Sequence, residues 1–197
     1  MNSKLQIGVL GSTRGTILLP LIDKLERAHC PFDIATVISN SADAEILKRA
    51  QEKSIPSYVI SPDNLSREAF DQAISQKLEA EDVELVVLIG YMRILSPWFI
   101  QQWQQRIYNI HPSLLPDFGG KMDQGVHQAV LDAGVKETGC TVHIVNEFVD
   151  GGPIILQKRC PVYPDDDVHR LKQRVQACEV DALADAIQHY HLENVYA

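Results

Sequence analysis

Leu85-Val86-Val87-Leu88-Ile89 is an unbroken apolar run, closed off by Gly90. A strand with one wet face alternates apolar and polar residues. A run that does not alternate is covered on both faces, as the strands of a parallel sheet are. Toward the N-terminus the same kind of segment recurs at Leu5-Gln6-Ile7-Gly8-Val9-Leu10 and at Phe32 to Ile38, with a shorter one at Ile55 to Ile60. Helical periodicity fills the intervals, over Ile17 to about His29, over Ala42 to Lys53, and through Leu78 from an N-cap at Ser66. The Ser66 hydroxyl suits that cap because it can accept an amide proton from the first turn. Strands alternating with helices over short connections predict an α/β fold, an open, mostly parallel, twisted sheet with helices on both faces.

Toward the C-terminus the pattern changes. Ser96-Pro97 suits a helix start with proline at the first helical position, and the helix is expected over Trp98 to Gln104. Ile107 to Ile110 reads as a short strand, and Asp123 to Leu131 as a helix ended by Ala133-Gly134. Gly139 to Asn146 and Pro153 to Val162 read as two antiparallel strands joined by Glu147 to Gly152. Asp165-Asp166-Asp167 put carboxylates at the positive end of a last helix, Val168 to His189. With no repeat and no low-complexity linker, one domain is expected over residues 1–197.

The 197 residues suffice for a substantial core, and a formal net charge of -8 argues against a nucleic-acid surface. Four cysteines, Cys30, Cys140, Cys160 and Cys178, show no metal-ligand spacing and read as reduced thiols, with Cys140 and Cys160 the pair that neighbouring strands could bring into contact. No metal constellation is expected. No signal peptide precedes Lys4, and no apolar run approaches membrane-spanning length. A cytoplasmic protein without a membrane partner is the expectation.

Chemistry-bearing residues collect in Pro/Gly-punctuated segments. Asn109-Ile110-His111-Pro112-Ser113-Leu114-Leu115-Pro116 and Val149-Asp150-Gly151-Gly152-Pro153 supply an amide, an imidazole and a carboxylate. Asn and His stabilise an oxyanion and move a proton, while Asp orients or charges the His. The structural alternative is that Asn109 and His111 cap a turn and Asp150 opens a tight one. Gly11-Ser12-Thr13-Arg14-Gly15-Thr16 lies between a strand and a helix, where backbone amides receive a phosphate well. It lacks the lysine of an ATPase loop and is not a GxGxxG fingerprint, so neither ATP nor NAD is expected. A plain strand–helix turn is the alternative.

Several long motifs in order, Gly90 to Pro97, Asn109 to Pro116, Gly139-Cys140-Thr141-Val142-His143 and Asp150 to Gln157, resemble the phosphoribosylglycinamide formyltransferases that use 10-formyltetrahydrofolate. The resemblance implies formyl transfer from that folate to a phosphorylated ribosyl amine, with Asn109, His111 and Asp150 as the catalytic set and His143 in support. It places the substrate phosphate on Ser12, Thr13, Arg14, Gly15 and Thr16, where the family's usual pattern has Gly in place of Thr13 and Asn in place of Ile17. It places the ribonucleotide against Gln176 and Glu179, three apart on one helix face, and the folate against Tyr91, Met92, Arg93, Ile94, Leu95, Val145, Asn146 and Glu147, with Arg67 near its anionic tail.

Without the resemblance, Met92 and Leu95 read as core, Arg93, Gln176 and Glu179 as surface, and His143 as a structural histidine on the far face of its strand. Gly119 to His127 departs from the shorter family form, and His127 reads there as a helix-surface residue. Nothing around Cys140 or Ser113 supplies an activated nucleophile, so direct transfer is expected. The competing readings are formyltetrahydrofolate hydrolysis, formylation of another amine, and a non-catalytic folate- or nucleotide-binding module. Relatives with the hydrolase activity carry an extra N-terminal regulatory domain, and a first strand already at Leu5 favours the transferase. A monomer or homodimer is expected.

Overall fold

The computed structural model describes residues 4–121 and 124–195. Its elements are β1 (Leu5–Leu10), α1 (Leu18–Arg27), β2 (Phe32–Ser39), α2 (Glu45–Glu52), β3 (Ser57–Val59), α3 (Arg67–Ala80), β4 (Leu85–Leu88), α4 (Pro97–Gln102), β5 (Ile107–His111), α5 (Gln124–Asp132), β6 (Glu137–Ile144), β7 (Ile154–Pro161) and α6 (Val168–Val195). The strands form one 7-stranded sheet in the order β3-β2-β1-β4-β5-β6-β7. The mostly parallel α/β sheet with antiparallel C-terminal strands is therefore present. The chain divides into two compact units, the first ending at Asn109 and the second starting at Ile110.

In the first unit β2, β1, β4 and β5 run parallel, with β3 parallel to β2 at the edge. All of β4 is buried, which is why its sequence does not alternate. Helix α1 buries Leu18, Leu21, Ile22 and Leu25, the i, i+3, i+4, i+7 face of an amphipathic helix. Ser66 caps α3 by accepting the Ala69 amide, and Ser96 caps α4 by accepting that of Phe99 with Pro97 in the first turn. Helix α3 also carries two buried polar residues, Asp71 and Ser75. Ser75 accepts the Trp103 indole N–H at 2.9 Å, so the largest core side chain has its one polar atom paired.

In the second unit β6 and β7 are antiparallel neighbours, and α6 lies along both. The register sets Cys140 opposite Lys158 and Cys160 opposite Thr138, and all four cysteines are free thiols. Of the three aspartates before α6, Asp167 makes the cap, accepting the Arg170 amide at 2.8 Å. Asp166 instead forms a two-pronged pair with the Arg174 guanidinium at 2.6 and 2.9 Å.

Several boundaries differ from expectation; helix α2, for example, starts at Glu45 rather than Ala42. Helix α6 continues past His189 because Ile187 and His191 carry its buried face on by another turn. Strand β6 stops at Ile144 rather than Asn146, because the Asn146 side chain turns back onto the loop. The helix expected from Asp123 begins among the described residues at Gln124; Met122 and Asp123 lie outside them.

Candidate active site

Strand β5 delivers Asn109 and His111. Residues two apart on a strand share a face, so the amide and the imidazole project to the same side. His111 is 4% exposed and Asn109 half-buried. The His111 Nδ1 lies 3.3 Å from Asp150 Oδ2. The other ring nitrogen, Nε2, is buried and has no hydrogen-bond partner among the described residues. A buried polar nitrogen without a partner is costly in a finished fold, which makes this one a candidate contact for a ligand atom or a water.

Asp150 is reached by β6 and the turn beyond it. His143 projects from β6 with Nε2 3.7 Å from Asp150 Oδ1, while its Nδ1 donates to the Ile144 carbonyl at 3.1 Å. The Gly120 amide donates to Asp150 Oδ2 at 2.8 Å. Asp150 itself sits at φ 54, a left-handed conformation that Asp tolerates better than most side chains. Burial pushes the Asp150 carboxyl up, but His111, His143 and the Gly120 amide outweigh burial and hold it well below the usual carboxylate range.

A depressed folded-state pKa means the carboxylate's contribution to stability is present above its unfolded value, about 4, and is lost as pH falls toward the folded one. The stability gap between wild type and Asp150→Asn is therefore expected to hold from neutral pH to about pH 5 and to close below about pH 4. Urea titrations across that range check it, and a gap that widened in acid would contradict the assignment.

The turn is built on close contact. A Cβ on Gly152 would lie 1.7 Å from the Ile144 carbonyl oxygen, the same oxygen that His143 engages. Gly152→Ala is expected to cost about 1–3 kcal/mol through forced backbone displacement and to lower turnover by moving Asp150. Thermal melts and steady-state rates test this; an unshifted melting point would show that the contact does not constrain the turn.

In the first unit a second constellation forms at the C-terminal ends of β1 and β4. The strand order reverses direction between these two, the place where open α/β sheets hold ligands. The Ser12 hydroxyl donates to Asn40 Oδ1 at 2.5 Å and accepts the Met92 amide at 2.9 Å. The Ser12 amide and the Thr13 hydroxyl both donate to the Gly90 carbonyl, at 3.1 and 3.3 Å. The Gly11–Thr16 loop and the Tyr91–Leu95 segment are thus laced together. Gly15 has φ +59, and a Cβ there would lie 2.3 Å from Ile46, so both backbone shape and space require glycine.

Met92 and Ile94 are 40% and 57% exposed, apolar surface suited to a flat ligand, whereas Leu95 is core. The Arg93 guanidinium lies 4.6 Å from the centre of the Phe70 ring. Burial raises the Asp71 carboxyl, against the opposing Ser96 hydrogen bonds and the charges of Arg93 and Arg67.

A family model described as formyl transferase matches residues 5–187. The chain belongs to the formyl transferase family.

It is 43% identical over 175 residues to the phosphoribosylglycinamide formyltransferase of Haemophilus influenzae, covering 88% of this chain and 81% of that protein. It is 44% identical over 187 residues to the trifunctional purine biosynthetic protein adenosine-3 of Gallus gallus, covering 94% of this chain but only 18% of the length of that protein. The crystal structure of glycinamide ribonucleotide transformylase 1 from Symbiobacterium toebii superposes with a TM-score of 0.90 at 40% identity, covering 96% of this chain and 89% of that one.

Within this formyl transferase the remaining expected residues take clear positions. Gln176 is half-buried and Glu179 is 9% exposed on α6, so Glu179 is no ordinary surface carboxylate. After burial, Glu179 is the next contributor pushing the Cys140 thiol up. Val145, Asn146 and Glu147 lie beyond β6, in the turn rather than on the strand. Asn146 shapes that turn by donating to the Gly151 carbonyl at 3.2 Å and accepting the Phe148 amide at 3.0 Å. His127 is 2% exposed, not a helix-surface residue. Ile17 is 4% exposed and occupies the N-cap position of α1 without a side-chain cap, so its side chain belongs to the core rather than to the loop's polar surface.

Asn40, Asp71 and Gly120 escaped the sequence reading. The legible signal for Asp71 was a polar residue set among the apolar positions of a helix, four before Ser75. Asn40 and Gly120 act through contacts distant in sequence. Among the described residues no His/Cys/Asp/Glu group has a metal-holding arrangement, and no helix is long and apolar enough to cross a membrane.

Proposed function

We propose that this formyl transferase moves the formyl group of 10-formyltetrahydrofolate to the primary amine of phosphoribosylglycinamide, a step of de novo purine biosynthesis. The observation that carries the reading is the His111 ring, fixed through Nδ1 by Asp150 while its buried Nε2 lacks a partner among the described residues. The neutral amine attacks the formyl carbon, and negative charge develops on the formyl oxygen. Asn109 and His111 donate hydrogen bonds to that oxygen. Asp150, held as an anion, takes up the proton lost by the attacking nitrogen and passes it, directly or through a water, toward the departing folate nitrogen. The new C–N bond forms, the bond to the folate nitrogen breaks, and no enzyme-bound acyl group intervenes. His143 keeps the Asp150 carboxylate aimed.

The loop of Ser12, Thr13, Arg14, Gly15 and Thr16 receives the substrate phosphate, chiefly through the backbone amides that follow Ser12, because the Ser12 amide and the Ser12 and Thr13 hydroxyls are engaged with Gly90, Asn40 and Met92. Gln176 and Glu179 hold the ribose hydroxyls and the amino end. Tyr91, Met92, Arg93, Ile94, Leu95, Val145, Asn146 and Glu147 accommodate the folate, with Arg67 and Arg93 toward its glutamate. The chain works as one catalytic domain over residues 1–197, a cytoplasmic monomer or homodimer without a metal.

The phosphate assignment is tested by comparing phosphoribosylglycinamide with its dephosphorylated counterpart. A steep fall in kcat/KM without the phosphate is expected; equal values would remove the loop from substrate recognition.

A further inference from the structure

Past His111 the chain leaves β5, and two side chains from β6 and β7 take over its backbone groups. The Thr141 hydroxyl donates to the Ser113 carbonyl at 2.7 Å and accepts the Leu115 amide at 2.9 Å. The Gln157 side-chain amide donates to the Leu115 carbonyl and to Thr141 Oγ1, both at 2.9 Å. A hydroxyl has one proton and two lone pairs, so Thr141 is saturated by these contacts. With both acceptor positions filled by N–H groups, its proton has one direction left, toward Ser113.

Thr141 and Gln157 are direct cross-strand partners. His143 stands two residues beyond Thr141 on β6, past a register shift between Val142 and His143, and reaches Asp150. Strand β6 therefore grips the loop that follows His111 with one side chain and the carboxylate opposite His111 with another. Gln157 is the residue that completes the grip, since without its N–H groups the Thr141 hydroxyl loses one of its two donors and the Leu115 carbonyl loses the side-chain donor it has. An apolar side chain of equal length would fill the same half-buried space on β7, so packing alone gives no reason for an amide there.

We propose that Gln157 is a positioning residue for formyl transfer, acting through Thr141 and Leu115 to fix the His111 ring against Asp150. This rests on the reaction proposed at His111 and Asp150. Misplacement of a reacting group by about 1 Å costs on the order of 10²-fold in rate. Gln157→Met keeps length and bulk but removes both donors.

The test combines steady-state kinetics with proton–nitrogen spectra of the histidine rings in wild type and Gln157→Met. The expected result is a kcat lowered by about 10- to 100-fold with KM for both substrates unchanged. The His111 ring resonances should move while those of the exposed His29, His169 and His189 stay in place. Thr141→Ser, which preserves all the contacts, should keep turnover, and Thr141→Val should lose it; this pair decides the matter even if Gln157→Met does not fold. In the double variant Thr141→Val, Gln157→Met the losses should not add, because the two residues act as one chain. An unmoved His111 ring, or full turnover in Gln157→Met, would overturn the proposal. If wild type itself transferred no formyl group, the proposed reaction would fail, while the ring spectra would still report whether Gln157 positions His111.

Discussion

Replacing Asp150 by Asn is expected to lower the turnover number for formyl transfer by about 10²- to 10⁴-fold, the range a general acid–base group contributes, with the fold intact. Asn matches Asp in size and tolerates the left-handed backbone that residue 150 adopts. Its side-chain oxygen can still accept the Gly120 amide that Asp150 Oδ2 accepts in wild type. What Asn lacks is the negative charge facing the His111 and His143 rings, and any capacity to carry the proton released by the attacking amine. Initial rates at saturation in both substrates, with circular dichroism as the check on folding, measure the effect. Turnover close to wild type would remove Asp150 from the proton path.

Asn109→Ala is expected to reduce kcat by about 10²- to 10³-fold, the typical loss on deleting one oxyanion donor. KM should change little, because the bond proposed for it strengthens only as charge develops on the formyl oxygen. The amide and the His111 ring share one face of β5, so removing the amide leaves a single donor on that side. The discriminating outcome is a raised KM with kcat preserved, which would make Asn109 a ground-state binding residue.

Much of the fold is legible in the sequence. The unalternating runs at Leu5–Leu10 and Leu85–Leu88 are read correctly because a strand covered on both faces has only one composition open to it. Ser66 and Ser96 announce helix starts because capping is local chemistry, settled within one turn. Asn109 and His111 stand out at the end of an apolar strand and Asp150 in a Gly-punctuated turn, in segments that resemble the family's motifs.

What stayed hidden depends on partners distant in sequence. Nothing near His127 indicates that it is buried, since its surroundings are set by tertiary packing. The end of β6 at Ile144 follows from Asn146 folding back on Gly151 and Phe148, a turn that composition does not distinguish from a continuing strand. The adjacent glycines Gly119 and Gly120 read as a mobile or tightly turned lip, yet the Gly120 amide meets a carboxylate thirty positions away. Gln157 sits in a motif whose glycines and proline attract notice first, and its contacts with Leu115 and Thr141 emerge only when β6 and β7 pair.

The most direct test follows the loss of 10-formyltetrahydrofolate with and without phosphoribosylglycinamide, quantifying formylated amine and free formate together. Formylated product that appears only with the amine, in step with folate consumption, is the predicted result. Formate released at the same rate without the amine would make the protein a hydrolase, and no turnover under either condition would contradict the proposed reaction altogether.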